Sequence, residues 1–166
     1  FASRNAYNRD ITALESILNQ IDNPFTRTEK LQIQTGNDSM KFNYNGISQF
    51  SSVRNRSASS TLDKLGFKSS GTNLNLRYAN NSILADSLFG IQYNISDSPI
   101  DKYGFKDIYQ KDNLTLYENQ YSLPIAFASQ SVYNDVKFTE HTLDNQASFL
   151  NQLANFNFDY FSPIPY

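Results

Sequence analysis

The sequence predicts an α/β (α+β) fold, a single domain spanning 1–166 in which a mixed β-sheet is flanked by helices. Three observations carry this. Segments with helical apolar spacing alternate along the chain with segments of period two. Two short helical patterns close on a glycine, at Gly66 and Gly90, and the second runs directly into the apolar strand pattern Ile91 to Ile95. Finally, 39% hydrophobic residues, with 13 Phe and 11 Tyr, suffice for one core in a chain of 166 residues that shows no repeat or linker.

Asp10 to Ile21 reads as an amphipathic helix capped by Asp10, with Ile11, Leu14, Ile17, Leu18 and Ile21 on one face and Asn23-Pro24 ending it. Phe25 to Ile33 and Met40 to Tyr44 alternate as half-buried strands, and the turn Gly36-Asn37-Asp38 between them predicts a hairpin or an adjacent pair. Ser57 to Leu65 is a helix that Ser57 or Ser59 caps and Gly66 stops. Ser82 to Phe89 repeats the layout: Ser82 caps, Ile83, Leu84 and Leu88 form the apolar face, and Gly90 stops it before a strand carrying Ile91, Tyr93 and Ile95 on one face. Phe105 to Tyr109 and Leu114 to Tyr117 bracket the turn Gln110 to Asn113 as a hairpin. Further strands are expected at Leu123 to Phe127 and Val132 to Phe138, a helix at Asp144 to Phe156, and an extended tail through Pro163 and Pro165.

Composition closes several function classes. A net charge of -2 gives no global case for nucleic acid or an anionic membrane surface. Without cysteine there is no disulfide framework, thiolate metal site or Cys nucleophile. The lone His141 lacks a nucleophile signature beside it, which leaves it a surface residue and rules out a His-rich metal site. Asp97 and Asp101 are the residues an all-oxygen Ca²⁺ site would use, but the EF-hand pattern is absent. Paired carboxylates would suit a glycosidase, with Glu118 the one to watch; its bland reading is a carboxylate satisfying turn amides. No cofactor and no metal are predicted. The longest apolar stretches, such as Leu123 to Ala128, fall far short of the roughly 20 residues a membrane-spanning helix needs.

Charge is uneven along the chain. From Lys41 to Tyr78, Lys41, Arg54, Arg56, Lys64, Lys68 and Arg77 stand against Asp63 alone, a local net of +5 that leaves -7 elsewhere. The first half of this segment holds Tyr44, Asn45, Gln49, Phe50, Ser51, Ser52, Arg54 and Arg56, a set suited to an anionic glycan. Arginine holds phosphate, rings pack on sugar faces, and amides and hydroxyls pair with hydroxyl groups. In the bland reading Tyr44 and Phe50 are core, the serines make a loop and a cap, and the basic residues are a solvated face.

Three blocks carry a resemblance: Tyr44-Asn-Gly-Ile-Ser-Gln-Phe-Ser-Ser52, Leu84-Ala-Asp-Ser-Leu-Phe-Gly-Ile-Gln-Tyr-Asn-Ile-Ser96 and Leu116-Tyr-Glu-Asn-Gln-Tyr-Ser-Leu-Pro-Ile-Ala-Phe127. From about Arg27 to Phe127 the chain resembles the extracytoplasmic region of the YfhO-like family, multi-spanning bacterial membrane proteins related to polyprenyl-phosphate-sugar glycosyltransferases. The resemblance implies a soluble fragment of a larger protein on the extracytoplasmic face of the cell membrane, non-catalytic by itself, with its own transmembrane region as partner. It also implies a role in positioning an acceptor, an anionic wall glycan such as teichoic acid, or in acting as a lid or scaffold, with a cell-wall glycan or a lipid-linked sugar as candidate ligand. The alternatives are a free-standing carbohydrate-binding or adhesive module of the cell surface and, third, a glycosidase.

Overall fold

The computed structural model describes residues 4–53, 55–69, 75–79, 81–129 and 136–162. Along the chain run α1 (Arg4–Leu18), β1 (Arg27–Lys30), α2 (Asp38–Phe42), β2 (Gln49–Phe50), α3 (Arg56–Lys64), β3 (Lys68–Ser69), β4 (Asn75–Arg77), α4 (Ile83–Leu88), β5 (Ile91–Ser96), β6 (Phe105–Lys111), β7 (Leu114–Asn119) and α5 (Thr142–Ala154). Four strands form a mixed sheet in the order β1-β5-β7-β6, with β1 parallel to β5 and the other pairs antiparallel. The short strands form a second, antiparallel sheet in the order β2-β4-β3. The architecture is the single α+β domain with a mixed sheet that the patterning predicts.

Two cores result. On one side of the main sheet α1 buries Ala13, Leu14 and Ile17 against Tyr93, Ile95, Leu114 and Leu116; the small Ala13 lets the helix approach. The Ser16 and Tyr109 hydroxyls, 3.2 Å apart, tie α1 to β6. The second core gathers Leu65, Phe67 and Ile91, with Phe89 edge-on to Phe67 at 4.9 Å between ring centroids. Helix α5 seals it by amide contacts: Gln146 Nε2 donates to the Leu65 carbonyl and Asn145 Nδ2 to the Lys64 carbonyl, each at 2.9 Å. These satisfy C-terminal carbonyls of α3 that would otherwise be buried unpaired.

The expected single face for Ile91, Tyr93 and Ile95 is corrected by a bulge. Arg27 lies opposite Ile91 but Thr28 opposite Tyr93, so Gln92 is an extra residue in β5. Ile91 therefore joins the second core while Tyr93 and Ile95 join the first.

Several other expectations are revised. Helix α1 begins well before Asp10, which lies inside it. Strand β1 is short, and Thr28, Glu29 and Lys30 are buried in succession instead of alternating. Its partner is β5, not residues 40–44, of which 40–42 belong to helix α2 and 43–44 follow it, with Met40 78% exposed. Asp38 holds the expected turn before it, its carboxylate accepting from the amides of Gln34 and Thr35 and from the Thr35 hydroxyl, and the chain leaves that turn as a helix instead of a strand. Asn55 caps α3, its Oδ1 accepting from the Ala58 amide at 3.0 Å, a role expected of Ser57 or Ser59. Residues 123–127 join no ladder; they cross over Gly90 as an irregular strap, with the Leu123 amide on the Ser87 carbonyl and the Ile125 amide on the Phe25 carbonyl. Of the expected strand Val132 to Phe138, residues 136–138 are irregular and 132–135 lie outside the described residues, as do Pro163 and Pro165.

The helix at Ser82 and the position of the following strand match the prediction. Ser82 Oγ accepts from the Ala85 amide, and Gly90 adopts φ +64°. A Cβ there would sit 3.0 Å from the Leu123 carbonyl oxygen of the strap, so both conformation and space call for glycine. The hairpin β6–β7 closes at Asp112, which takes φ +52°.

Candidate functional site

Polar groups buried between the two sheets form one connected network. Glu29 on β1 is 1% exposed. Its Oε1 accepts from the Ile47 and Ser48 amides, and its Oε2 accepts from the Ser48 hydroxyl at 2.8 Å. Ser48 Oγ in turn accepts from the Tyr78 amide at 2.9 Å. The Tyr78 hydroxyl lies 2.9 Å from Asp86 Oδ2 and 3.1 Å from Asn94 Oδ1, and receives a hydrogen bond from Lys102 Nζ at 2.6 Å. Lys102 Nζ also pairs with Asp86 Oδ2, while sitting 4.5 Å from the Phe105 ring centroid.

Burial dominates the electrostatics of this network. The Asp86 carboxyl is pushed up to about 6 by desolvation, against the pull of Lys102 and the hydrogen bonds from Lys102 and Tyr78. Glu29 is likewise raised by burial, opposed by its bonds from Ile47 and Ser48. Lys102 is lowered by burial, opposed by Asp86, and the Tyr78 hydroxyl is raised by burial and by Asp86. Neither carboxyl reaches solvent, so neither faces a substrate. The network joins β1, the segment before β2, the segment after β4, α4, β5 and the loop before β6, and its chemistry is cohesion. One atom stands out: Asp86 Oδ1 is buried without a hydrogen-bond partner among the described residues.

Sequence reasoning missed Glu29, Tyr78, Asp86, Asn94 and Lys102. A signal was present in Leu84-Ala-Asp-Ser-Leu: on a helix whose apolar face holds Ile83, Asp86 follows by three positions and must turn inward, where it needs a cation.

The residues predicted to bind a ligand are dispersed. Tyr44 is half-buried and Asn45 donates through Nδ2 to the Pro24 and Thr26 carbonyls; both line a cleft of 310 Å³ that Leu18, Ile21 and Pro24 also enclose. Gly46 packs against protein, a Cβ there meeting Ser39 at 2.9 Å. Gln49 and Phe50 form β2 in the small sheet. Ser51 closes a local turn, its Oγ donating to the Val53 carbonyl at 2.6 Å and accepting from the Val53 amide. Ser52 is exposed, Arg56 is exposed at the start of α3, and Arg54 lies outside the described residues.

Other basic residues of that segment are partnered. Lys41 donates to the Tyr7 hydroxyl and lies over its ring, and Lys64 pairs with Glu140. Lys68 and Arg77 behave differently. They sit directly opposite each other across β3 and β4, and both are exposed. Leu76, between Gln49 and Ser69 in the ladders, turns toward the second core. Strand alternation therefore places Asn75 and Arg77, with their partners Phe50 and Lys68, on the outer face. Phe50 is 46% exposed there. Like charges directly opposite in a ladder are unfavourable, so this face is one that an anion would stabilise.

Glu118 is held by two side-chain amides, from Gln92 at 3.1 Å and Gln120 at 3.3 Å. His141 is exposed at the start of α5. Among the described residues no three His, Asp or Glu side chains gather as a metal site, and Asp97 and Asp101 form no such group. No helix among them is long and apolar enough to cross a membrane.

The three blocks quoted above prove to be contact elements of one fold. Ser48 and Asp86 belong to the first two and share the buried network, while Asn119 of the third donates to the Ile91 carbonyl at 3.0 Å and accepts from the Tyr121 amide. No characterised protein and no solved structure shows significant similarity to the chain. A family model does match, described as bacterial membrane protein YfhO and covering residues 1–165, and the chain belongs to that family.

Proposed function

We propose that this domain works on the extracytoplasmic face of the bacterial membrane as a non-catalytic part of a glycosyltransferase-like protein. There it presents an anionic wall glycan such as teichoic acid, or the sugar of a lipid-linked donor, to its own membrane-embedded region. The observation that carries the reading is the outer face of the small sheet, where Lys68 and Arg77 stand side by side with Phe50 and Asn75. Two adjacent cations suit a phosphodiester, and a half-exposed ring suits a sugar face. The residues of the proposed contact are Phe50, Lys68, Asn75 and Arg77, with Gln49, Ser51, Ser52, Arg54 and Arg56 of the neighbouring segment beside them; Tyr44 and Asn45 line a separate cleft.

The test is a titration of the 166-residue chain with purified teichoic acid and with neutral wall glycans, followed by amide chemical shifts. Teichoic acid should shift Phe50, Lys68 and Arg77, and raised salt should weaken binding. The double variant Lys68→Ala, Arg77→Ala should bind at least about tenfold more weakly, given about 1.4 kcal/mol or more for the two charge-assisted contacts together. Affinity unchanged in that variant and in Arg54→Ala, Arg56→Ala would refute the assignment, and equal affinity for neutral glycans would favour a carbohydrate-binding module of another kind.

A further inference from the structure

The strap over Gly90 does not close the second core completely. Between the strap, the end of α4 and α5 lie two adjoining openings, of 510 and 620 Å³, which share Leu88, Phe127, Ser129 and Leu153 and so line one trough. Its walls are mostly apolar, with Leu88 and Phe89 from α4 and its cap, Ile125 and Phe127 from the strap, and Phe149 and Leu153 from α5; Ser129 and Asn155 add neutral polar groups. Phe127 is 45% exposed at the rim.

A single cation stands among these walls. Arg27, half-buried on β1, lines the smaller opening and donates through Nη1 to the Phe89 carbonyl. It has no ion pair; the salt bridges among the described residues are Lys64 with Glu140 and Lys102 with Asp86. Glu29 is near enough to be felt electrostatically, but its oxygens are engaged by Ile47 and Ser48. A guanidinium has five N–H donors in a planar fork, and among the described residues one of them is used. A half-desolvated arginine with open donors, set in an apolar trough, complements a molecule with one anionic group and a hydrocarbon tail.

We infer that the trough between the strap and α5 binds a single-chain anionic amphiphile, its head group on Arg27 and its tail along Leu88, Phe127 and Leu153. The site is separate from the basic face of the small sheet and does not depend on the glycan reading. The tail gains from leaving water by about 0.8 kcal/mol per buried CH₂, and the head gains a bidentate, charge-assisted contact that a neutral head cannot make. The gap at the strap, in this reading, is the entrance.

Decyl phosphate, used below its micelle concentration, is the probe, with decanol and inorganic phosphate as controls and methyl chemical shifts of the 166-residue chain as the readout. Decyl phosphate should shift the methyls of Leu88, Ile125 and Leu153 and bind at least about tenfold tighter than decanol, while inorganic phosphate leaves those methyls unmoved. Arg27→Gln should bring decyl phosphate to the level of decanol. Phe127→Ala, which trims an exposed ring and spares the core, should weaken both alkyl ligands by about tenfold. Equal affinity for decyl phosphate and decanol would overturn the role of Arg27. Absence of methyl shifts would overturn the site. Self-association that broadens the trough methyls without ligand would show the face to be covered by a second copy, and would also overturn it. If Arg27→Gln fails to fold, the comparison of the two alkyl ligands on the unmodified chain decides.

Discussion

Lys102→Met isolates the buried ion pair, because Met keeps the length of the stem and removes only the charge. Asp86 is fully buried and Lys102 has 9% of its side chain exposed, so the variant leaves a carboxylate in the interior with the Tyr78 hydroxyl as its remaining contact. Breaking a buried pair from one side costs about 3 to 5 kcal/mol. The shift of Asp86 gives a second scale: from 3.8 to about 6 is about two units, or about 3 kcal/mol at roughly 1.36 kcal/mol per unit, already present with Lys102 in place. A carboxyl raised above its unfolded value binds its proton more tightly in the folded state. Its contribution favours folding below about pH 3.8 and is lost as pH rises through about 6. Without Lys102 the carboxyl rises further, so the loss window moves upward. The variant should therefore be about 3 kcal/mol less stable than the parent at pH 7 and should recover much of that by pH 5. Glu29 titrates in the same sense in both proteins, and Asp86 is the weakest of the influences on it, so it nearly cancels in the difference. Urea denaturation followed by circular dichroism at pH 5, 6 and 7 measures it. A deficit under about 1 kcal/mol at pH 7, or one that fails to shrink on acidification, would refute the argument.

Two further changes probe other joints of the fold. Ser48→Ala strips a donor from Glu29 Oε2 and an acceptor from the Tyr78 amide, and should cost about 2 kcal/mol in chemical denaturation; a loss near zero would mean the hydroxyl is dispensable to the network. Gly90→Ala adds a Cβ at positive φ and 3.0 Å from the Leu123 carbonyl oxygen, which should cost about 2 kcal/mol and lower Tm by about 4 to 8 °C, whereas an unchanged melting curve would show the strap to be free to move aside.

Local signals were legible. The Ser82 cap, the Gly90 stop and the run into β5 are decided by neighbouring residues, and the hairpin of β6 and β7 by a turn between two alternating segments. Nonlocal ones were not. Met40, Phe42 and Tyr44 alternate over a window too short to separate a strand from a helical turn, and Asp38, which ties down the turn before them, looks like any loop aspartate in the sequence. The bulge at Gln92 is invisible because it exists only relative to β1. The candidate site suffered likewise: the segmental charge was readable, but that Lys68 and Arg77 meet across a ladder while Lys64 is drawn off to Glu140 depends on pairing.

The place of β1 in the main sheet has a consequence for how the chain assembles. Its partner β5 comes only after α2, the small sheet, α3 and α4, and the residues that receive α1 lie on β5 and β7. Everything the first thirty or so residues need in order to bury their apolar face is thus synthesised late, and contacts of such long sequence separation make for slow folding. The β6–β7 hairpin closes locally and offers the earliest template. Until it has gathered β5, the amphipathic N-terminal helix has no surface to meet, and its apolar stripe stays open to other chains or to a chaperone.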